Sequence, residues 1–246
     1  MSTATEYEEQ SALENVAREE SRYAILFELE GIAGSGRQAT YEVLKSILGE
    51  QGITITPVHI SKFCFRPSPE QYMEDLLESV GASRQSAEKL AEDARSGIAM
   101  QLSLKTNSLP DAIFNLLKAA GEQGIPTAAL TALPKATAEA LMENLGMNEL
   151  GVQLFVAEQT DDEHFPRADS WLKIAKALNR SPFHCGVIAS THAASKSALS
   201  AGMRCVAIPD HFTAFQDFSG ANAIIEDISQ ANADEVLMDL CPHLYA

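Results

Sequence analysis

The chain has 246 residues, 46% of them hydrophobic and 21% charged, which suits one large globular domain or a core with a smaller insertion. Its 18 Lys and Arg stand against 34 Asp and Glu, a formal charge of −16, and no basic patch with interleaved aromatics is evident, which argues against nucleic acid or an anionic membrane surface as a partner. No apolar run approaches the ~20 residues that span a bilayer, the acidic N-terminus lacks the apolar core of a signal peptide, and the four widely spaced cysteines (Cys64, Cys185, Cys205, Cys241) form no CxxC pair, so they read as reduced thiols of a cytoplasmic protein.

In chain order, residues 1–22 carry Glu6, Glu8, Glu9, Glu14, Glu19 and Glu20 and read as a solvated acidic arm. Tyr23–Leu29 is an apolar run that reads as a buried strand, closed by Glu28, Glu30 and the glycines at 31, 34 and 36. A helix is expected from Arg37 to Glu50, with Val43, Leu44, Ile47 and Leu48 at helical spacing. From Gly52 to about Leu109 only helical patterns occur: one helix starting at Ser68-Pro69, a second at Ser83, a third around Ile98–Leu104. We read residues 46–109 as a helical insertion, flanked by core segments 23–45 and 110–246.

Beyond Pro110 helices and strands alternate. Helices are predicted over Asp111–Glu122, Pro134–Leu145, Arg167–Leu178, Ala193–Ala201 and Ala233–Leu240. Strands are predicted over Thr127–Leu130, Gln153–Ala157, Cys185–Ala189, Arg204–Ile208 and Ala223–Ile225. Such alternation predicts an α/β fold with a parallel sheet covered on both faces, and ligands bind such sheets beyond the C-terminal ends of the strands. Glu28 and Glu30 would stand there.

Two sites can be built on that stretch. Gly31–Gln38 (GIAGSGRQ) partly matches a phosphate-binding loop, but Arg37 replaces its lysine, Gln38 replaces the hydroxyl that ligates magnesium, and no second strand ending in Asp follows. The second reading covers nearly the whole chain from Tyr23. Glu28-Leu29-Glu30-Gly31-Ile32 is similar to a D-x-D-G-T motif at the end of a first strand. Pro110–Thr131 matches a proline-led helix, a G-I-P turn and a strand ending in Ser/Thr. Phe165-Pro166-Arg167-Ala168-Asp169 is similar to K-P-x-P-D. Ile188-Ala189-Ser190-Thr191, up to Ala201-Gly202-Met203, is similar to F-E-D-S followed by a helix ending in A-G-M.

In order and spacing these segments resemble the haloacid dehalogenase-like superfamily, in particular its phosphoglycolate phosphatase and β-phosphoglucomutase-like branch. The resemblance implies a Rossmann-like core with an inserted helical cap, and a small phosphorylated metabolite or a protein as partner. It further implies a carboxylate nucleophile at position 28, an acid/base at 30, a phosphoryl-holding hydroxyl at Thr131, a charge-balancing lysine at 165, and magnesium held by the residues at 28, 30 and 190. Chemically, a carboxylate nucleophile divides the displacement into two steps, cations offset charge on the moving phosphoryl group, and magnesium needs hard oxygen ligands.

The chain departs from this pattern at most of these positions. Glu28 and Glu30 are each a methylene longer than Asp, and a displacement of about 1 Å can cost on the order of a hundredfold in rate. Phe165 replaces the lysine, leaving Arg167 as the nearby cation for phosphate beside Thr131. Ala189 and Ser190 replace two acids, so a magnesium site formed by Glu28, Glu30 and Ser190 should be weakened or lost. The expectation is a pseudoenzyme, a phosphatase-like protein that binds a ligand or partner between cap and core. The alternative is a divergent phosphatase or phosphomutase with Glu28 as nucleophile. Asp161-Asp162-Glu163 reads as a solvated loop, His192 as a helix-start histidine and Trp171 as packing; His59, His164, His184, His211 and His243 form no metal spacing.

Overall fold

The computed structural model describes residues 21–104, 108–157 and 165–242. Most of the acidic arm, the Asp161–Glu163 run, His164 and His243 lie outside the described residues. β1 (Ala24–Glu28) is buried throughout except at Glu28, because nothing polar interrupts Ala-Ile-Leu-Phe. It lies inside a six-stranded sheet with β2 (Thr127–Thr131), β3 (Gln153–Val156), β4 (Cys185–Ala189), β5 (Arg204–Ala207) and β6 (Ala223–Ile224). All pairings are parallel and the order is β3-β2-β1-β4-β5-β6. Order therefore reverses between β1 and β4, the topological switch point at which open α/β sheets carry their crevice. Glu28 stands opposite Leu130 of β2, while Phe27 faces Ile188 of β4. The ends of β1 and β4 thus open together.

Side chains alternate across the pleat. Ile25 and Phe27 pack under α5 (Asp111–Glu122), α6 (Lys135–Asn144) and α9 (Ala233–Leu240) through Leu116, Leu141 and Leu237. Ala24 and Leu26 meet α7 (Ala168–Ala177) and α8 (His192–Ser200) on the other face through Trp171, Ile174 and Ala198. Trp171 is fully buried, and its indole N–H donates to Ser197 Oγ at 2.8 Å, which satisfies the one polar atom that burial would otherwise strand.

Four helices form the remaining unit: α1 (Gly36–Gly49), α2 (Pro57–Phe63), α3 (Pro69–Ser79) and α4 (Ala87–Leu102). Their core joins Leu44, Leu48, Ile60, Met73, Leu76 and Leu90. The division expected at residues 45 and 46 falls inside α1, whose apolar residues from Ala39 to Leu48 all face this helical unit. The helices expected at Ser83 and around Ile98 are one helix, α4, capped by the Ser86 hydroxyl on the Lys89 N–H. Its interior Gly97 does not end it. A β-carbon there would come 2.7 Å from Val43 Cγ1, so the glycine permits α1 and α4 to cross closely. The short α2 escaped the sequence reading because its capping box uses His59, whose Nδ1 accepts the Thr56 N–H at 2.9 Å, where Glu or Gln is the recognised signal.

Candidate active site

A cleft of about 810 Å3 lies between the C-terminal ends of the strands and the helical unit. Glu28, Glu30, Gly31 and Arg37 line it from below, Arg66, Glu70 and Arg95 from above. After Glu28 the chain makes a single π-helical turn, Leu29–Ala33, which carries Glu30 to the floor before α1 begins. The glycines that suggested a phosphate loop make room for side chains here. A β-carbon on Gly31 would lie 2.2 Å from Ser190 Oγ, and one on Gly36 would lie 2.7 Å from Glu30 Cβ.

Glu28 is held on three sides. Its Oε2 accepts the Ser190 N–H at 2.7 Å and the Ser190 hydroxyl at 2.9 Å; its Oε1 accepts the Thr191 hydroxyl at 3.1 Å. Ser190 and Thr191 leave the end of β4, and Thr191 also caps α8 by accepting the Ala194 N–H at 3.2 Å. The β1/β4 pairing is what places these donors across from Glu28.

Glu30 is in a different setting. Burial pushes its carboxyl above the ordinary value. Hydrogen bonds from Thr131 and from its own amide oppose that shift, the neighbouring Glu28 adds to it, and Arg37 opposes it. Its Oε2 is buried with no hydrogen-bond partner among the described residues. Arg37 donates from Nε to Asp210 Oδ2 at 2.7 Å, while its Nη2 is likewise buried without a partner.

The expected site residues divide into three groups. Glu28, Glu30 and Phe165 line the cleft. Thr131 and Ser190 are buried just beneath its floor; Thr131 bonds Glu30 and accepts the Leu133 N–H at 2.9 Å, and Ser190 bonds Glu28. Arg167 is exposed at the start of α7 and is not part of the cleft lining, because the turn into α7 brings Phe165 inward. His192 starts α8, its N–H donating to Gln216 Oε1 at 2.7 Å and its ring bonded to the Asp217 carbonyl. The sequence reading named Thr191 only as part of the segment ending β4, met Arg37 only as the residue in place of a phosphate-loop lysine, and missed Lys135, Arg66 and Arg95. The arginines had no signal to find them, since nothing along the chain says that α1, the loop before α3 and α4 converge over one strand end.

Among the described residues no three His, Cys, Asp or Glu side chains gather as metal ligands would.

No model of a known protein family matches the chain, and no curated protein matches it in sequence. Solved structures match it in shape. A β-phosphoglucomutase from Clostridium difficile has 18% identity and a TM-score of 0.70, over 88% of this chain and 96% of that one. A predicted phosphoglycolate phosphatase from Haemophilus somnus has 12% identity and a TM-score of 0.67, over 85% and 96%. A HAD hydrolase of family IA, variant 3, from Entamoeba histolytica has 21% identity and a TM-score of 0.66, over 89% and 99%. At such identities the likeness is one of fold, and it runs almost the full length of those proteins.

Proposed function

We propose that this chain, which has the fold of the haloacid dehalogenase-like phosphatases and phosphomutases, is a catalytically retired form that binds a small phosphorylated metabolite in the cleft between sheet and helical cap. The reading rests on Glu28. A nucleophilic carboxylate must turn a free lone pair toward phosphorus, and here three of the four lone-pair sites are engaged at the end of β4, two on Oε2 by Ser190 and one on Oε1 by Thr191. Those bonds draw electron density from the oxygens and hold them toward Ser190 and Thr191. Fold likeness alone does not license a reaction.

The donor set does not fit magnesium. That ion takes hard oxygens at about 2.1 Å in near-octahedral geometry and is commonly held by one or two carboxylates. Glu28 is engaged with hydroxyls, the Ser190 hydroxyl is turned toward Glu28, Ala189 offers no ligand, and burial pushes Glu30 toward its neutral form. Phe165 puts an aromatic ring where a cation would balance phosphate charge. Binding is the better supported role, because Arg37, Arg66, Arg95 and Lys135 line the cleft and, although each is ion-paired, to Asp210, Asp75, Glu70 and Glu139, Arg37 keeps a buried Nη2 without a partner among the described residues that an anion can accept from.

A divergent phosphatase keeps one supporting observation: Glu28 and Glu30 reach the same cleft, one held as an acceptor and the other inclined to keep its proton. Hydrolysis of an aryl phosphate and of a panel of sugar and glycolate phosphates separates the two readings. It is measured with and without magnesium, on the wild type and on Glu28→Ala. No turnover above the variant is expected, together with calorimetric binding of at least one of the phosphates. Turnover abolished by Glu28→Ala would establish the phosphatase and end the retired-site reading.

A further inference from the structure

Arg37 and Glu30 leave two buried polar atoms, Arg37 Nη2 and Glu30 Oε2, with no hydrogen-bond partner among the described residues. Both residues line the cleft. Leaving such groups unsatisfied is costly, more so for a charged one, so they mark where a polar ligand would bind. We propose that Arg37 is the anion anchor of the cleft, its Nη2 donating to an oxygen of a bound carboxylate or phosphate monoester, with the Glu30 carboxyl as the second contact to the same ligand. The proposal rests on the reading of this cleft as a binding site and names the residue that defines what it binds.

Three features favour an anion there. The Arg37–Asp210 bond uses Nε and aims the guanidinium, leaving Nη2 as an oriented donor. Asp210 is itself held, accepting the Phe212 N–H at 2.8 Å and bonded to the Thr213 hydroxyl at 3.2 Å, so the guanidinium is fixed before a ligand arrives. Arg37 also sits in the first turn of α1, whose amide groups lack carbonyl partners within the helix and whose Ser35 side chain makes no capping bond. Phe165 supplies no cation, so the task passes from the loop before α7 to α1.

The test is calorimetric titration of the full chain with inorganic phosphate and with sulfate, on wild type, Arg37→Met, Arg37→Lys, Arg95→Met and Asp210→Asn. Thermal midpoints check that each variant is folded. The proposal expects Arg37→Met to weaken phosphate binding about tenfold or more and beyond the effect of Arg95→Met. Asp210→Asn keeps an oxygen that can accept from Nε and aim the guanidinium but removes the negative charge that competes with the anion, so it should tighten binding; a purely structural Arg37–Asp210 pair would not give that result. Wild-type affinity in Arg37→Met overturns the proposal while the cleft reading stands. Should Arg37→Met not fold, undiminished binding by Arg37→Lys overturns it instead. A wild type that binds neither phosphate nor sulfate overturns the anion anchor; if the wider phosphate panel fails as well, the cleft reading falls with it.

Discussion

Glu30 links the cleft to stability. Its folded carboxyl titrates above the unfolded one, whose ordinary value is 4.5. Between those two values the folded state holds more protons, so stability is greatest below the unfolded value and declines as pH rises through the folded one. Thermal unfolding of the wild type followed from pH 4 upward should carry this decline, and Glu30→Gln should remove it. A Glu30→Gln curve that keeps the wild-type slope would assign the decline to another group. Gly31 belongs to the same scale. Gly31→Ala forces its new methyl into Ser190 Oγ and should destabilise by about 1–3 kcal/mol. Adding Ser190→Ala removes the clashing oxygen, so the double variant should recover part of the loss, which denaturant melts of a double-mutant cycle measure directly.

At the scale of elements, the helical cap is pinned to the sheet domain by a core residue. Phe212, from the loop after β5, is fully buried among Leu44, Leu48, Ile60 and Met73 of the cap, with its ring 6.2 Å from that of Tyr41. The same loop supplies Asp210 to Arg37. Cap position and the Arg37 guanidinium are therefore set by one five-residue stretch of chain ending at Ala214, whose N–H returns to the Asp210 carbonyl. Phe212→Ala should cost about 3–5 kcal/mol and, beyond that loss, raise hydrogen exchange in α1 before the sheet loosens. Uniform exchange across cap and sheet would show instead that the two unfold as one unit. The crossing of α1 and α4 at Gly97 is the second constraint on the cap, and it explains why a helix of 16 residues tolerates a glycine in its interior.

Over the whole molecule, the four thiols belong to packing. Burial pushes Cys64 and Cys241 up to about 12 and Cys185 and Cys205 up to about 11, so little thiolate exists near neutral pH. A thiol-reactive dye at pH 8 should leave the folded protein unlabelled and modify all four after denaturation. Rapid labelling of any one of them in the folded state would mean that its surroundings open. Among the described residues no helix is long and apolar enough to cross a membrane.

Much of this protein was legible along the chain. The apolar runs of β1, β2, β4 and β5 and the helical spacing of α5 and α9 appear within a residue or two of where they were read, because burial on both faces demands uninterrupted apolar strands and each flanking helix demands one apolar stripe. The same logic put Glu28 and Glu30 at the end of β1, where both line the cleft. Local pattern could not reveal which groups meet there. The tie between Glu28 and Ser190 spans 162 residues, and that between Arg37 and Asp210 spans 173; both exist only because a parallel sheet lays β4 beside β1 and β5 beside β4. Residue types and their periods set the elements, since those depend on neighbours in sequence. The state of each carboxyl and the partner of each cation depend on neighbours in space, and tertiary structure alone decided them.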